Sequence, residues 1–495
     1  MLILKSTKLY LMNWILIAEL IYILLVIAVC IRIVYDTDNT SKTLSYLLLT
    51  VFLPFAGMII YFSIGTNYRK RKLYTKKLIN DEKRLKELTI RIHEQSEQVM
   101  SQKKPEVKKF KRLARLLLNG SLSRLADHNK VELLLNGEKK FPEVIKALKA
   151  AKQHIHMEYY IFNDDVIGQQ IAAVLIEKAQ EGVEVRFIYD DFGSRSIRKK
   201  LVPEMERAGV KCAPFYKVLF IKLANRINYR NHRKIIIIDG YIAFTGGINV
   251  NDRYINHPNE PDQLYWRDTH VKITGEGVYY LQFLFINDWN FCSDEDLVIQ
   301  KSHFGTAKAT EDGGAVVQIA SSGPDSDNPT ILYSFLGAIG MAEEEVLITT
   351  PYFIPGESLI DEMTVAALSG VKVKLLVPEK SDSYTVDAAA RSYYGDLLKA
   401  GVEIYFYKKG FIHAKTMVSD AQLSIIGTAN MDQRSFELNF EVNTIIYDAH
   451  VASQLREVFY EDLKNSQKID AAEWFKRPLY KQFPEKVARL VSPLL

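Results

Sequence analysis

Two stretches of this chain carry the same pattern of histidine, lysine, aspartate and asparagine. Both follow H-x-K-x4-D and continue, after six further residues, as G-[GT]-x-N. The first copy consists of His232, Lys234, Asp239 and Asn249, and the second of His413, Lys415, Asp420 and Asn430. One H-x-K tripeptide could arise by chance. Two copies that agree at all of these positions predict one composite site that handles phosphate.

The repeated side chains suit an attack on a phosphodiester. Residues two apart on a strand share a face, so each histidine should point the same way as its lysine. Two lysines and two amides would stabilise the charge that grows on the non-bridging oxygens. One imidazole can form a covalent phosphohistidine, while the other, once protonated, donates to the leaving alcohol and then deprotonates the incoming one. The near-symmetric sequence leaves open which histidine attacks.

A carboxylate is expected behind each imidazole. Asp268 follows His232 in the first half of the chain, and Glu441 follows His413 at a similar place in the second half. An acid bonded to the second ring nitrogen would fix the tautomer and favour the imidazolium. We therefore expect each half to supply the acid that orients its own histidine. The alternative is that both are ordinary acids on surface strands.

The motif aspartates, Asp239 and Asp420, join the candidate catalytic residues as members of the motif. A turn-shaping role is the alternative, because Asp239-Gly240 is typical of a tight hairpin and a strand pattern follows it. Metal binding by His232 and His413 is a second alternative. The lysines beside them argue against it, because a bound cation would itself stabilise the negative charge of the phosphate and make the lysines unnecessary. We expect no metal and no cofactor.

The composition is that of a globular protein with room for a large core. The chain has 495 residues, of which 48% are hydrophobic and 25% are charged, with a formal net charge of +5. Its three cysteines, Cys30, Cys212 and Cys292, are far apart and show no C-x-x-C spacing. This pattern disfavours a disulfide framework or a zinc cluster and favours reduced thiols in the cytosol.

The soluble part is predicted to be a duplication. Strand, helix and strand patterns at 154–162, 171–179 and 183–189 recur at 346–354, 359–368 and 371–377. This order is typical of βαβ units with parallel strands, and the motif strands add antiparallel hairpins. We predict an α/β fold with two fused half-domains and central mixed sheets, at 119–310 and 311–495.

Residues 1–68 are predicted to form a two-helix transmembrane hairpin. The run 9–31 has Glu19 as its only charge and the run 44–64 has none, and about 20 apolar residues cross a bilayer. The first run is too long for a signal peptide, and a second follows directly. Basic residues from Arg69 onward place both termini in the cytoplasm by the positive-inside rule.

Two further segments have basic character. Residues 69–118 are interpreted as a basic helical connector that either lies along anionic lipid or is a solvated linker. The stretch 218–221 is apolar and flanked by Lys217, Lys222 and Arg226, so it is interpreted as a lipid-facing loop or as a buried element.

The two motif copies resemble the phospholipase D superfamily, and the whole chain more narrowly resembles the bacterial membrane cardiolipin synthases. The resemblance covers the apolar N-terminus and the stretches HMEYYIF (156–162), YRNHRK (229–234), YWRDTH (265–270), TPYFIP (350–355), NMDQRS (430–435) and LVSPLL (490–495). It implies a transphosphatidylation in which two phosphatidylglycerols yield cardiolipin and glycerol, without nucleotide or metal. It also implies a multi-pass protein of the bacterial plasma membrane with a cytoplasmic catalytic domain.

The resemblance also implies roles for the candidate residues. His232 would be the nucleophile and His413 the general acid and base, with Asp268 and Glu441 behind the rings. The phosphate would be held by Lys234, Lys415, Asn249 and Asn430. A phospholipase D-type hydrolase that releases phosphatidic acid would use the same residues and stays an alternative. A membrane-tethered nuclease is disfavoured, since two apolar runs and two motifs in one chain point to a lipid substrate and not to nucleic acid.

Overall fold

The computed structural model describes residues 2–37, 40–62, 82–102, 104–215, 230–257, 263–305, 314–324 and 326–492. The predicted lipid-facing loop around 218–221 and the basic run from Arg69 lie outside these residues. The helices are α1 (Leu2–Asp36), α2 (Thr40–Phe52), α3 (Pro54–Ile60), α4 (Glu82–Ser101), α5 (Pro105–Lys109), α6 (Lys111–Ser121), α7 (Asn136–Lys149), α8 (Val166–Gln180), α9 (Leu201–Arg207), α10 (Val278–Cys292), α11 (Thr330–Gly340), α12 (Glu357–Leu368), α13 (Tyr384–Lys399), α14 (Gln433–Glu437), α15 (Ala449–Lys464), α16 (Ala471–Phe475) and α17 (Leu479–Val491).

The strands are short and most are fully buried. They are β1 (Ala126–Leu135), β2 (His154–Tyr159), β3 (Glu184–Asp190), β4 (Lys211–Phe215), β5 (Lys234–Ile238), β6 (Ile242–Gly246), β7 (Tyr265–Arg267), β8 (Thr269–Thr274), β9 (Ala315–Ser322), β10 (Glu345–Thr349), β11 (Phe353–Ile354), β12 (Lys372–Pro378), β13 (Glu403–Tyr407), β14 (Gly410–Ile412), β15 (Thr416–Ser419), β16 (Leu423–Gly427), β17 (Met431–Asp432), β18 (Glu441–Tyr447) and β19 (Ser466–Lys468).

Strands from both halves form one mixed sheet. Its order is β19-β13-β12-β10-β15-β16-β18-β9-β1-β8-β6-β5-β2-β3-β4. In each half three strands run parallel, β2, β3 and β4 or β10, β12 and β13, and the motif strand pairs antiparallel beside them. The order of the second half reverses that of the first across the β9–β1 pair. The predicted α/β fold of two fused halves is confirmed, and the halves share a single sheet.

The motif strands are buried on both faces. In β5 the side chains of Ile236 and Ile238 pack into a core that belongs to the first half. The intervening Ile235 and Ile237 point to the opposite face, because side chains alternate along a strand, and pack into a core that contains residues of both halves. This shared core, covered by α10 and α15, holds the two motif strands in one rigid body.

The end of the predicted connector is part of a core. Val107, Phe110, Leu113 and Leu117 of α5 and α6 are buried in the core of the second half, where α6 packs on α11. The interpretation of 69–118 as lipid-bound or solvated throughout is therefore wrong for this part. Its apolar residues recur on one face of a helix, and such a face is buried wherever a partner surface exists. The segment that contains α5 and α6 thus packs on the second half, the chain then forms the first half, and it afterwards completes the second half.

One helix in the described residues is long and apolar enough to cross a membrane, over Trp14–Asp36. The second predicted span is not one continuous helix in the described residues. α2 ends at Phe52, Leu53 leaves the helical conformation with φ −133° and ψ 67°, and α3 begins at Pro54. Proline lacks an amide hydrogen and disfavours a helical residue before it, so the helix breaks at this point.

After this break α3 folds back along α2. A side chain on Gly57 would lie 2.5 Å from Cα of Thr50, and the rings of Tyr46 and Tyr61 are 5.7 Å apart. In a continuous helix Tyr46 and Tyr61 would be separated by about 22 Å at 1.5 Å per residue. The second apolar run is therefore a helical hairpin in which glycine permits close contact between the two backbones.

Both ends of the α2–α3 hairpin lie near one end of α1. The hydroxyl of Tyr61 donates to Asp36 Oδ2 over 3.0 Å, while Phe55 at the tip stacks on Tyr22 with 5.5 Å between ring centroids. Tyr22 precedes Asp36 by about 21 Å along α1, and the hydrocarbon core of a bilayer is about 30 Å thick. The hairpin thus has the geometry of a re-entrant element that enters and leaves on the same side.

Candidate active site

Backbone hydrogen bonds join each histidine to the opposite half. The N–H of His232 donates to the carbonyl of Phe440 over 2.9 Å, and Phe440 N–H donates to the carbonyl of Arg230 over 2.9 Å. In the same way the N–H of His413 donates to the carbonyl of Arg267 over 2.7 Å, at the end of the parallel pair β14–β7. Each of these contacts places a histidine beside the residue that precedes a carboxylate.

The carboxylates are paired across the halves. Nδ1 of His232 lies 3.0 Å from Oε1 of Glu441, and Nδ1 of His413 lies 2.7 Å from Oδ2 of Asp268. Both carboxylate side chains are fully buried. The expectation that each half supplies the acid for its own histidine is wrong, because the strand segments that meet at the site come from opposite halves. Each histidine therefore depends on the other half for its partner.

The two lysines lie against the histidine backbones. Nζ of Lys234 donates to the carbonyl of His232 over 2.8 Å, and Nζ of Lys415 donates to that of His413 over 2.5 Å. Burial lowers the pKa of Lys234 to about 8, against the opposing effect of Glu441, and lowers that of Lys415 to about 7, against the effect of Asp268. An anion between them would favour their charged forms, because opposite charges stabilise each other.

The two imidazoles have unlike surroundings. Nε2 of His413 is 3.1 Å from Lys415 Nζ. Burial, with a second contribution from Lys415, lowers the pKa of His413 to about 4, although Asp268 opposes this. On the other side, burial would raise the pKa of Glu441, but His232 and Lys234 together hold it below its ordinary value. Glu441 is thus an anion beside His232.

The two motif asparagines differ in their contacts. Asn249 is already engaged, since its Nδ2 donates to the hydroxyl of Tyr254 over 2.8 Å and its Oδ1 accepts from Ile161 N–H over 3.3 Å. Asn430 borders a cavity, and its Oδ1 has no hydrogen-bond partner among the described residues. Of the two amides, Asn430 is therefore the one placed to meet a ligand.

The second position of G-[GT]-x-N lies against the carboxylate in each half. A side chain at Gly247 would lie 2.1 Å from Oδ1 of Asp268. The matching Thr428 donates its hydroxyl to Oε2 of Glu441 over 2.5 Å. The second position of this motif thus supports the acid that reaches across to the other half.

The motif aspartates lie away from the histidines. Asp239 follows the five-residue strand β5, so it is about 16 Å beyond Lys234 at 3.3 Å per residue. Its carboxylate accepts N–H groups from Lys152, Gln153 and His154, and that of Asp420 accepts those of Glu343, Glu344 and Glu345. Both aspartates have φ of +51°. The structure thus places both aspartates in turns at the far ends of the motif strands, which agrees with the turn-shaping alternative.

The site opens into a cavity of about 340 Å³. Its lining includes His232, Tyr352, Asp382, Asn430, Asp432, Arg434 and Asn439. Sequence reasoning missed Asn439, whose Nδ2 is 3.3 Å from His232 Nδ1 and 3.2 Å from Glu441 Oε1. Its spacing of two from Glu441 on an extended segment could have indicated it, since such residues share a face. In the described residues no group of His, Cys, Asp and Glu is arranged to hold a metal ion.

Comparison with known proteins agrees with this geometry. A family model described as "Cardiolipin synthase, PLD-like domain" matches residues 144–272 and 335–463, so each match contains one motif and one carboxylate. A model described as "Phospholipase_D-nuclease N-terminal" matches residues 23–65, which include the α2–α3 hairpin. About half of the chain thus falls within the two copies of the first model.

Relatives and a solved structure extend the comparison. "Cardiolipin synthase 2" of Bacillus anthracis is 41% identical over 463 residues, which are 93% of this chain and 88% of the relative. "Major cardiolipin synthase ClsA" of Bacillus subtilis is 39% identical over 481 residues, 96% of this chain and 98% of the relative. The crystal structure of a phosphatidylserine synthase from Haemophilus influenzae shares the fold, with a TM-score of 0.59 at 16% identity, over 78% of this chain and all of that one. The chain belongs to the family of cardiolipin synthases with two phospholipase D-like domains.

Proposed function

We propose that this protein is a membrane phosphatidyltransferase that converts two phosphatidylglycerols into cardiolipin and glycerol. The observation that carries the proposal is that His232 and His413 each bond through Nδ1 to a buried carboxylate of the opposite half, while the charge of Lys234 acts on His413. In each ring the carboxylate is bound at Nδ1, so Nε2 is the atom on the side away from the acid. Lys234, Lys415 and Asn430 supply donors for a phosphate between the rings.

The first half of the reaction forms a covalent intermediate. His232 borders the cavity, so its Nε2 attacks phosphorus of the first phosphatidylglycerol, and a P–N bond forms as the P–O bond to glycerol breaks. His413 gives a proton from Nε2 to the departing glycerol oxygen. Glu441 stabilises the positive charge that develops on the ring of His232.

The second half reverses these roles. The hydroxyl of a second phosphatidylglycerol gives its proton to His413 and attacks phosphorus, so that a P–O bond forms and the P–N bond to His232 breaks. Cardiolipin leaves and His413 is protonated again. Burial and Lys415 lower the pKa of His413 to about 4. The phosphodiester anion counters Lys415, so substrate binding itself favours the imidazolium that the first step needs.

Lipid analysis in a bacterial host without cardiolipin tests this function. We expect the full chain to produce cardiolipin and Lys234→Ala to lower its amount about 100-fold or more, because a donor to the developing charge is lost. Lys464→Ala is the matched control, since Lys464 is on the surface. Labelled phosphatidylglycerol that yields phosphatidic acid instead would establish a hydrolase and overturn the proposal.

We also propose that the catalytic body is cytoplasmic and that the N-terminus is on the other side of the membrane. This differs from the expected placement of both termini in the cytoplasm, because α1 crosses once and the α2–α3 hairpin returns to its side of entry. The basic residues after position 68 support a cytoplasmic body by the positive-inside rule. The hairpin then enters from the cytoplasmic face.

Cysteine labelling in spheroplasts tests this topology. In a chain with its three native cysteines replaced by serine, we expect Ser6→Cys to react with a membrane-impermeant maleimide in intact spheroplasts. Lys199→Cys, an exposed position on the catalytic body, should react only after permeabilisation. Protection of both positions until permeabilisation would instead support two complete crossings.

A further inference from the structure

A cavity of about 810 Å³ lies between α2 and the second half of the catalytic body. Its walls are largely apolar and include Leu44, Leu48 and Phe52 on α2 and, opposite them, Leu332, Phe436 and Leu490. Binding sites for small organic ligands measure about 300–1,000 Å³. Apolar walls of this kind favour hydrocarbon, since burying apolar surface away from water is favourable. The catalytic chemistry described above does not use this cavity.

One thin wall separates this cavity from the histidine site. Ile354 borders the histidine site, while the next residue, Pro355, borders the apolar cavity. Likewise Asp432 faces the histidine side and Gln433 the apolar side. Pro355 directly follows β11 and Gln433 directly follows β17, so the two cavities adjoin where these paired strands end.

The outer side of the cavity opens along the re-entrant hairpin. Leu48 and Phe52 line the cavity, yet their side chains are also exposed, Phe52 by 76%. Large apolar side chains that are contiguous and exposed mark contact with a membrane or another partner. Because α2 belongs to the hairpin packed on the membrane-crossing helix α1, that partner is the hydrocarbon of the bilayer.

The helix α17 extends the same apolar surface. Its exposed apolar residues recur at helical spacing on one face and are Leu479, Phe483, Val487 and Leu490. Basic residues Lys481, Lys486 and Arg489 share the helix, a composition typical of helices that lie in the membrane surface. Ser45 of α2 donates its hydroxyl to the carbonyl of Leu490 over 3.4 Å. α17 therefore meets α2 at the mouth of the cavity.

We propose that this cavity binds the acyl chains of the phosphatidylglycerol whose phosphate lies at His232 and His413. The inference rests on the proposed function and adds the route by which a bilayer lipid reaches a site outside the hydrocarbon layer. The lipid enters between α2 and α17 with its chains in apolar surroundings. Its headgroup then lies on the histidine side of the β11–β17 wall, and its chains lie on the apolar side.

A substitution that fills the cavity tests this inference. Leu48→Trp adds bulk on the lining face of α2, whereas Val51→Trp adds the same bulk at an exposed position of α2 that does not line the cavity. With the full chain in vesicles of long-chain phosphatidylglycerol, we expect Leu48→Trp to lower kcat/KM about tenfold or more. With soluble dihexanoyl phosphatidylglycerol, whose chains are short, both variants should match the unsubstituted protein.

The outcomes separate the two proposals. No cardiolipin from the unsubstituted protein with either lipid overturns the proposed function. Cardiolipin at unchanged rates from Leu48→Trp, or an equal loss with both lipids, overturns the acyl site alone. An equal loss in Val51→Trp on vesicles overturns it as well, because the effect would then belong to the hairpin as a whole.

Photo-crosslinking gives a second readout that does not depend on turnover. Phosphatidylglycerol with a diazirine near the end of one acyl chain is incorporated into vesicles that contain the His232→Ala variant. We expect the label on peptides that contain Leu48 and Phe436, and we expect Leu48→Trp in the same background to reduce it. Label confined to α1, with none at Phe436, would contradict an acyl site in this cavity.

Discussion

Cardiolipin synthesis is expected to fall about 10⁴-fold or more in both His232→Ala and His413→Ala, but only one of these variants should still form a covalent intermediate. The difference appears with a phosphatidyl ester of p-nitrophenol, because this leaving group departs without a proton. His413→Ala should release one equivalent of p-nitrophenol and keep the phosphatidyl group on His232. His232→Ala should release none. The size of the loss follows from removing the nucleophile or the general acid.

Mass spectrometry of the trapped protein checks the assignment of the two histidines. The phosphatidyl group should be found on the peptide that contains His232 in the His413→Ala variant. His450→Ala is the control, because His450 is an exposed histidine on α15. A labelled His413 peptide in His232→Ala would exchange the two roles, and substantial synthesis in either variant would contradict a single site built from both histidines.

Glu441→Gln is expected to lower activity about 10³- to 10⁴-fold through His232, the histidine of the opposite half. An amide in place of the carboxylate no longer accepts the Nδ1 proton in the same way or stabilises the imidazolium, and a loss of this size is known for such a change in a histidine–carboxylate pair. Asp268→Asn should act equally through His413. Glu461→Gln is the surface control, since its side chain is 66% exposed.

Nitrogen resonances of the histidine rings identify the partner of each acid. In Glu441→Gln the Nδ1 signal of His232 should shift while that of His413 stays in place, and Asp268→Asn should show the reverse. Adding Glu441→Gln to His232→Ala should cost little further activity, because residues that act as one unit are not additive. A shift confined to His413 in Glu441→Gln would contradict the pairing across halves.

In the N-terminal apolar segment, hydropathy alone does not predict which apolar run forms a continuous helix. The apolar runs around Trp14 and Leu48 were both identified by composition, but among the described residues only the first forms a continuous helix long enough to cross a membrane. A prediction from composition depends only on the number of apolar residues in a run. It does not include the helix break at Pro54 or the close contact of α3 with α2 that Gly57 permits. The contact of Tyr61 with Asp36 then brings the end of the hairpin back to the end of α1.

The connector shows a similar limit for charge patterns. Its lysines and arginines suggested a lipid-bound or solvated segment. The same stretch contains Val107, Phe110 and Leu113, whose side chains are buried in the core of the second half, where α6 packs on α11. A basic surface and a buried face coexist on one amphipathic helix, so charge alone could not assign the segment.

The sequence alone was enough to identify the two histidine–lysine pairs of the site. The duplicated motif identified His232, Lys234, His413 and Lys415, because two matched copies on strands must present histidine and lysine on one face. It also marked Asp268 and Glu441 as their partners. Only the tertiary structure decided which acid meets which histidine, since that depends on the crossing of chain segments between halves and not on distance along the chain. The tertiary structure also shows that Asp239 and Asp420 lie in distant turns and that the α2–α3 hairpin packs beside the catalytic body. These contacts join residues far apart in the chain, so no local sequence pattern predicts them.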